Sequence, residues 1–231
     1  MLTPLTRAKF EQLIPVIATA PQYTYFWGKF NDFLRRLLIS VIAMVVILVL
    51  SQVFGAGVQA LMLLLGVIGG LYWFWGPVYL ASMRNATYRR LPYSGFLQGE
   101  VLDIFVTEDL IGEEETVNNR GELVVIENRE RRINLEIGDE TGFVTEIQAP
   151  LRRIHKAIKP GDTAELLVLS RQSDLGQIAK ITDAYLPQHN LWVGEYPYLR
   201  RDFFAQVSRE LEQQADYNAN RRTANPRRRR R

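Results

Sequence analysis

Hydrophobic residues are distributed unevenly along the chain, and their densest run contains no charge from Leu37 to Met83. Its first 18 residues end at Phe54 and form a helix about 27 Å long, close to the roughly 30 Å of a bilayer's hydrocarbon core. Gly55-Ala56-Gly57 then interrupts the run, before a second uncharged stretch begins at Val58. This pattern predicts a transmembrane hairpin over 35–90, with spans at about 37–54 and 58–83.

Two buried helices of a soluble protein are the alternative to this hairpin. A soluble core helix usually keeps one polar face. The two segments carry little polarity beyond Ser40, Ser51, Gln52 and Gln59. The hairpin is therefore the favoured interpretation, and it also satisfies every backbone group within its own helices, as lipid requires.

Arginines flank both spans, and tryptophans lie beside them. Cytoplasmic flanks of membrane helices are enriched in Lys and Arg, and Trp collects at the interface. We therefore expect both termini in the cytoplasm and the glycine turn on the other side. The residues expected at the membrane interface are Trp27, Arg35, Arg36, Trp73, Trp75, Arg84, Arg89 and Arg90. Pro77 is expected to bend the helix near its exit.

Three glycines in the second span, Gly66, Gly69 and Gly70, predict a flat helix-packing face. Small residues four apart let two helices approach closely. The partner is either another helix or the first span of the same hairpin, and the sequence does not separate these. Neither span contains an ionisable residue, which argues against a pore or pump built from this hairpin alone.

Residues 1–34 combine an amphipathic pattern with an aromatic cluster. Leu5, Phe10 and Leu13 fall on one helical side, and Arg7 and Glu11 fall on the other. We expect this segment to lie on the membrane surface. A helix packed on the soluble domain is the alternative.

Residues 91–199 alternate in the manner of strands separated by turn residues. The predicted strands are Leu97–Val106, Leu123–Ile126, Arg132–Ile137, Gly142–Ile147, Leu166–Ser170 and Ile178–Tyr185. A short helix over Leu151–Ile158 precedes the last two. This order is that of an OB-type barrel, and another small antiparallel barrel or a sandwich is the alternative. Basic residues alternate with acidic ones and aromatic residues are scarce, so nucleic-acid binding has little support.

The chain ends in a predicted helix over 200–220 and a disordered basic tail over 221–231. The net charge is +3 from 28 basic and 25 acidic residues, but seven arginines follow Asn220, so residues 1–220 carry −4. These are Arg221, Arg222, Arg227, Arg228, Arg229, Arg230 and Arg231. On a membrane protein such a tail attracts anionic lipid, and nucleic acid is the rival partner.

The chemistry-bearing residues form no recognisable catalytic, cofactor or metal motif. Cysteine is absent, and neither His155 nor His189 has neighbours at metal-ligand spacing. We therefore expect no catalytic residue, no cofactor, no metal and no enzyme activity. Together the segments predict an α+β membrane protein with an N-terminal amphipathic segment, a two-helix hairpin, a cytoplasmic OB-like barrel, a C-terminal helix and a basic tail.

Three stretches, LTRAKFEQLIP, APQYTYFWGKFNDFLRRLLIS and WVGEYPYLRRDF, resemble a family of small cyanobacterial two-helix membrane proteins. Its members often carry the label "phosphate ABC transporter permease". The resemblance implies a thylakoid or plasma membrane location.

From all of these features we expect a non-enzymatic membrane accessory or assembly protein that contacts the bilayer and a larger complex, for which a photosynthetic complex is one candidate. The alternatives are an accessory subunit of a transporter and a membrane-tethered nucleic-acid-binding domain.

Overall fold

The structure, a computed structural model, describes residues 2–54, 56–117 and 123–224. The chain forms two compact units. The sheet unit combines the residues up to Leu13 with those from Leu91 onward, and the helical unit runs from Ile14 to Arg90. The chain therefore leaves the sheet unit once and returns to it once, so that two covalent links join the units.

The helical unit consists of four helices and a short 3₁₀ turn at Ala56–Val58. The helices are α2 (Ala20–Trp27), α3 (Phe30–Phe54), α4 (Gln59–Gly70) and α5 (Tyr72–Arg89). By length and composition, α3 can cross a membrane alone, and α4 with α5 can supply a second crossing if the bent pair is one span. The predicted apolar helices are confirmed at this level.

The second predicted span is broken and not continuous. A bend of 72° separates α4 from α5, and it falls at Leu71, directly after Gly69 and Gly70. Glycine pairs are common at sharp kinks because they stabilise the helix least. Helix α5 continues through Pro77, and a bend within the helix at this residue stays a prediction.

The sheet unit is built on a single antiparallel sheet. Its strands are β1 (Leu2–Pro4), β2 (Tyr93–Val117), β3 (Leu123–Gly138), β4 (Val144–Pro150), β5 (Thr163–Ser170), β6 (Ile178–Ile181), β7 (Ala184–Leu186) and β8 (Leu191–Val193). The order is β4-β3-β2-β5-β7-β8, with β1 paired to β2 and β6 paired to β5. The antiparallel β region predicted from the alternation is confirmed.

The predicted closed OB-like barrel is wrong, because the sheet stays open. The end strands β4 and β8 each pair with one neighbour, β3 and β7 respectively. Along β2, residues 93–100 pair with β5 and residues 100–117 pair with β3. The long β2–β3 ladder therefore extends past the rest of the sheet, while β6, β7 and β8 have only three or four residues each. Such short strands offer few hydrogen bonds with which to close a ring.

The first residues of the chain, up to Leu13, belong to the sheet unit. Strand β1 pairs with β2, with Leu2 opposite Leu97. Helix α1 (Arg7–Leu13) follows and fully buries Phe10 and Leu13. Two side chains of the apolar face that we expected on lipid are therefore packed within the sheet unit, as in the alternative interpretation, and the membrane-surface position of residues 1–34 stays a prediction.

Strand β5 lies at the centre of the sheet unit and is buried on both faces. Leu166 and Val168 join the main apolar cluster on one face. Residues on the other face of neighbouring β2 meet the C-terminal helix, where the Phe96 ring stacks on Phe204 at 5.3 Å between centroids. Alternating side chains therefore form two apolar layers around one sheet.

The C-terminal helix α6 spans Arg201–Ala224 and is longer than the predicted 200–220 helix. Arg221 and Arg222 of the predicted tail are part of this helix. Arg227, Arg228, Arg229, Arg230 and Arg231 lie outside the described residues.

Candidate membrane-interface site

An aromatic cluster joins three helices of the helical unit. The rings of Trp27 (α2), Phe33 (α3) and Trp73 (α5) contact one another, with centroid distances of 5.6 Å for Trp27–Phe33, 5.9 Å for Phe33–Trp73 and 6.3 Å for Trp27–Trp73. Aromatic pairs at these distances and tilts add stabilisation beyond the area they bury. The cluster fixes the starts of α3 and α5 side by side.

Arg36 is a buried cation next to this cluster, with 6% of its surface exposed. Its guanidinium donates to the carbonyl of Phe26 at 2.8 Å, to the carbonyl of Trp27, and to that of Asp32 at 3.2 Å. It also lies 5.3 Å from the Trp27 ring centre, at cation–π distance. Arg36 therefore satisfies the carbonyls at the end of α2, which have no partner within their own helix.

A cavity of about 380 Å³ opens beside Arg36. Its walls come from the end of α2, the start of α3, and the start and middle of α5. The lining residues are Tyr25, Phe26, Gly28, Asp32, Arg35, Arg36, Ile39, Tyr72 and Leu80. The pocket thus combines two arginines, one carboxylate, aromatic rings and two aliphatic side chains directly before the uncharged part of α3.

Two backbone groups near the break between α4 and α5 form hydrogen bonds with side chains. Ser40 Oγ on α3 accepts the Trp73 backbone N–H at 2.9 Å. The Trp75 indole N–H donates to the Ile68 carbonyl at 2.8 Å. An apolar environment provides no water for such groups. A sharp bend is therefore compatible with a membrane location.

A buried pair of amides fixes α2 to α5. The Asn85 side-chain N–H donates to Gln22 Oε1 at 2.9 Å, and the Gln22 side-chain N–H donates to Asn85 Oδ1 at 3.3 Å. Both side chains are fully buried. Gln22 Oε1 also accepts the Thr19 backbone N–H at 3.1 Å and so caps α2. These contacts hold the pocket-forming end of α2 in place.

The glycine face packs on the first apolar helix of the same chain. A Cβ added at Gly69 would lie 3.2 Å from Ala43 Cβ, and one at Gly70 would lie 2.6 Å from Met44 Cε. At Gly66 the nearest atom is Ile47 Cγ2 at 3.7 Å. Of the two partners that the sequence left open, the structure places α3 against this face.

The arginines after the second span are distributed around the same helical unit. The Arg84 guanidinium lies 5.7 Å from the Tyr25 ring centre, beside the pocket. Arg89 donates to the Ile14 carbonyl at 2.6 Å, and Arg90 follows the last residue of α5. Of the predicted interface arginines, Arg35 and Arg36 line the pocket, and Arg84 contacts the pocket residue Tyr25. Arg89 and Arg90 are not among the lining residues.

The sheet unit contains a buried carboxylate, Asp183, between β6 and β7. Its Oδ1 accepts the backbone N–H of Tyr198 at 3.1 Å and that of Leu199 at 3.2 Å. Its Oδ2 is buried and has no hydrogen-bond partner within the described part of the chain. Asp183 therefore anchors the segment that leads into α6.

Metal-ligating side chains do not cluster in the described ranges. Among residues 2–54, 56–117 and 123–224, no three His, Asp or Glu side chains lie close enough together to hold a metal ion.

The profile of a family of unknown function, DUF8619, matches residues 3–214. The chain belongs to this family. The match to DUF8619 covers the sheet except for Leu2 of β1, the apolar helices and the interface pocket, whereas all seven tail arginines lie beyond it. No curated protein matches the chain significantly, and no solved structure does.

Several residues of this DUF8619 site are absent from the sequence prediction. Gly28, Asp32 and Leu80 line the pocket, and Gln22 and Asn85 join α2 to α5, but none of them stands in a recognisable motif. Asn85 carried one weak signal, because a polar residue in the last turns of an apolar helix usually has a partner. The pairing itself joins residues 63 positions apart and appears only in the fold.

Proposed function

We propose that this protein is an integral membrane accessory protein, anchored by the helical unit and contacting a larger membrane complex through the sheet unit. The observation that carries the proposal is α3. It has 25 residues, and only 6% of its most apolar 18-residue window is buried. A core helix of a soluble protein buries most of such a surface. Lipid is the environment that suits an exposed apolar face of this length.

The proposed topology has two crossings with both termini in the cytoplasm. Arg35 and Arg36 line one pocket, and Arg84 lies 5.7 Å from the ring centre of the pocket residue Tyr25, which supports placing this region on the cytoplasmic side. The proposed membrane is the thylakoid or the plasma membrane, following the cyanobacterial resemblance. The two covalent links at Leu13 and Arg90 then tether the sheet unit to the membrane anchor at both ends.

The extended β2–β3 hairpin supports a protein partner. It exposes large apolar side chains well beyond the core. They are Phe105, Val106, Leu110, Ile111, Leu123 and Val125, each between 39% and 71% exposed. Neighbouring residues of a strand point to opposite faces, so these side chains lie on both faces of the hairpin. Exposed apolar surface of this extent marks interaction sites. A photosynthetic complex is the proposed class of partner, on the strength of the same resemblance.

The nucleic-acid alternative rested on a closed OB-type barrel. The open sheet removes that support. The proposed anionic-lipid attraction of the arginine tail adds to the anchor without replacing it.

Purification from native membranes tests the proposal. The protein should stay in the membrane pellet after a carbonate wash and, in mild detergent, should copurify with a larger membrane complex. A Phe105→Ser/Leu110→Ser variant should lose the complex and remain in the pellet. A matched Val16→Ser/Ile17→Ser change at two exposed positions of the helical unit should keep it. Release of the wild-type protein by carbonate, or copurification with an ATPase subunit only, would contradict the proposal.

A further inference from the structure

We propose that the pocket between α2, α3 and α5 binds the anionic phosphodiester headgroup of one membrane lipid through Arg35 and Arg36. This inference rests on the proposed membrane location of the helical unit and adds a specific lipid site to it. The site is separate from the arginine tail, which lies in a different part of the chain.

The first argument is the unbalanced charge of Arg36. A guanidinium has five N–H donors, and three of those of Arg36 go to backbone carbonyls. Two donors remain. No carboxylate of the described residues makes an ion pair with it, although only 6% of its surface is exposed. A buried charge is costly unless an opposite charge accompanies it, so an anion is expected at this position.

The second argument is the neighbouring Arg35. It lines the same pocket, is exposed, and has no side-chain partner within the described part of the chain. Asp32 is the pocket's carboxylate, and its Oδ2 accepts the Lys29 backbone N–H at 2.9 Å in the turn before α3. The charged lining residues are thus two cations and one anion, and a singly charged phosphodiester balances their net positive charge.

The third argument is the position and shape of the pocket. Arg35 and Arg36 directly precede Leu37, the first residue of the uncharged run, so they lie at headgroup depth when α3 is inserted. Arg forms bidentate hydrogen bonds with phosphate oxygens. Ile39 and Leu80 offer an aliphatic wall for the glycerol and first acyl carbons. The volume of about 380 Å³ lies at the lower end of ligand pockets, about 300–1,000 Å³, and suits a headgroup.

Lipid retention by the full-length protein tests this site. The protein is reconstituted in nanodiscs of phosphatidylcholine containing phosphatidylglycerol, extracted in mild detergent, and analysed by native mass spectrometry. The wild type should retain one phosphatidylglycerol. Arg35→Gln should reduce this retention about tenfold, because a charge-assisted hydrogen bond is lost. Leu80→Trp, which fills the pocket without changing charge, should reduce it similarly. Arg36 is left unchanged, since it also holds the end of α2.

Arg90→Gln is the matched control, because it removes the same charge from the same unit outside the pocket. It should retain phosphatidylglycerol like the wild type. Equal retention of the two lipids, or an equal loss in Arg90→Gln, overturns the inference. Displacement of the lipid by millimolar inorganic phosphate also overturns it, since the site would then take a free anion.

Carbonate extraction of the same samples distinguishes this inference from the proposed function. If the wild-type protein stays in the membrane but does not select phosphatidylglycerol, the lipid site is contradicted and the membrane anchor is not. A wild-type protein that leaves the membrane contradicts the membrane anchor as well.

Discussion

Asp183 shows how one buried side chain ties a loop to the sheet. Burial raises the pKa of Asp183 to about 7, and the N–H bonds from Tyr198 and Leu199 and the charge of Arg201 only partly offset this effect. The unpaired Oδ2 is the natural position for the proton. The folded protein therefore holds a proton on Asp183 over a pH range in which the unfolded chain has released it.

We predict that the sheet unit loses stability as pH rises from about 4 to about 7. A folded-state pKa above the unfolded value means that the folded state binds more protons in this window, so the free energy of unfolding falls with pH, by on the order of 4 kcal/mol. Asp183→Asn keeps an oxygen for both N–H groups and should flatten the profile. Urea unfolding at a series of pH values, followed by the fluorescence of Trp192, measures this.

Asp174→Asn is the control for that prediction. Asp174 is exposed on the turn after β5 and accepts the Gly176 N–H at 3.0 Å. This variant should keep the wild-type pH profile. A wild-type midpoint that does not change between pH 5 and pH 8 would refute the role given to Asp183.

Ser40 has a comparable role in the helical unit. Ser40→Ala removes the acceptor of the Trp73 N–H and should lower the free energy of unfolding by about 1–3 kcal/mol, the cost of leaving a buried donor unpaired. Ser51→Ala is the control, because it also removes a hydroxyl from α3. The Ser51 hydroxyl donates to the Leu48 carbonyl in its own helix, so the free energy of unfolding should change by no more than about 0.5 kcal/mol. Thermal unfolding in detergent compares the two, and equal losses would count against the bend geometry.

At the scale of elements, α1 is the clearest test of the N-terminal segment. Phe10→Ala should destabilise the sheet unit by about 3–5 kcal/mol, because a fully buried ring is replaced by a cavity. Ile17→Ala, at a position 71% exposed, should change stability by about 0.5 kcal/mol or less. Equal small effects on unfolding would instead favour a membrane-surface α1.

The packing of α4 on α3 can be tested with introduced cysteines, because the chain has none of its own. Ile47→Cys with Gly66→Cys should form a disulfide within one chain under mild oxidation, since these positions are adjacent. Gly66→Cys alone should give no crosslinked dimer. A dimer from the single variant, seen on a non-reducing gel, would show that the glycine face pairs between copies.

At the scale of the whole molecule, the proposed topology predicts which side each segment faces. A reporter fused after Arg231 should be active in the cytoplasm, and Gly57→Cys should react with a membrane-impermeant thiol reagent added from the opposite side. The positive-inside rule is the physical reason. A cytoplasmic signal at Gly57, or none from either side, would mean that the hairpin enters the bilayer without crossing it.

The lengths of the helices make that outcome informative. Helix α4 has 12 residues, which cover about 18 Å, against roughly 30 Å of hydrocarbon. Helix α4 alone is therefore too short to cross the hydrocarbon core. A second crossing needs the first turns of α5 to complete it, beyond the 72° bend.

The sequence by itself determined the features that depend on local pattern. These features are an uncharged run of helical length, the glycines that interrupt it, and alternating strands. Each is set by residues close together in the chain, because a bilayer selects an unbroken apolar run and a sheet selects apolar side chains at every second position. The helical and antiparallel regions were predictable for this reason. The strand assigned to Leu123–Ile126 and that at Arg132–Ile137 even lie in one continuous β3.

Only the tertiary structure decided the features that depend on distant partners. The sheet remains open because β2 divides its length between β3 and β5, and nothing in the sequence of β2 fixes where that exchange occurs. Residues 2–13 join the sheet unit because β1 pairs with β2, more than 90 residues later in the chain, with Leu2 opposite Leu97. The pocket exists because Gln22 and Asn85 bring α2 against α5. Hydrogen bonds and packing between distant segments leave no periodic signal, so their outcome appears only in the folded chain.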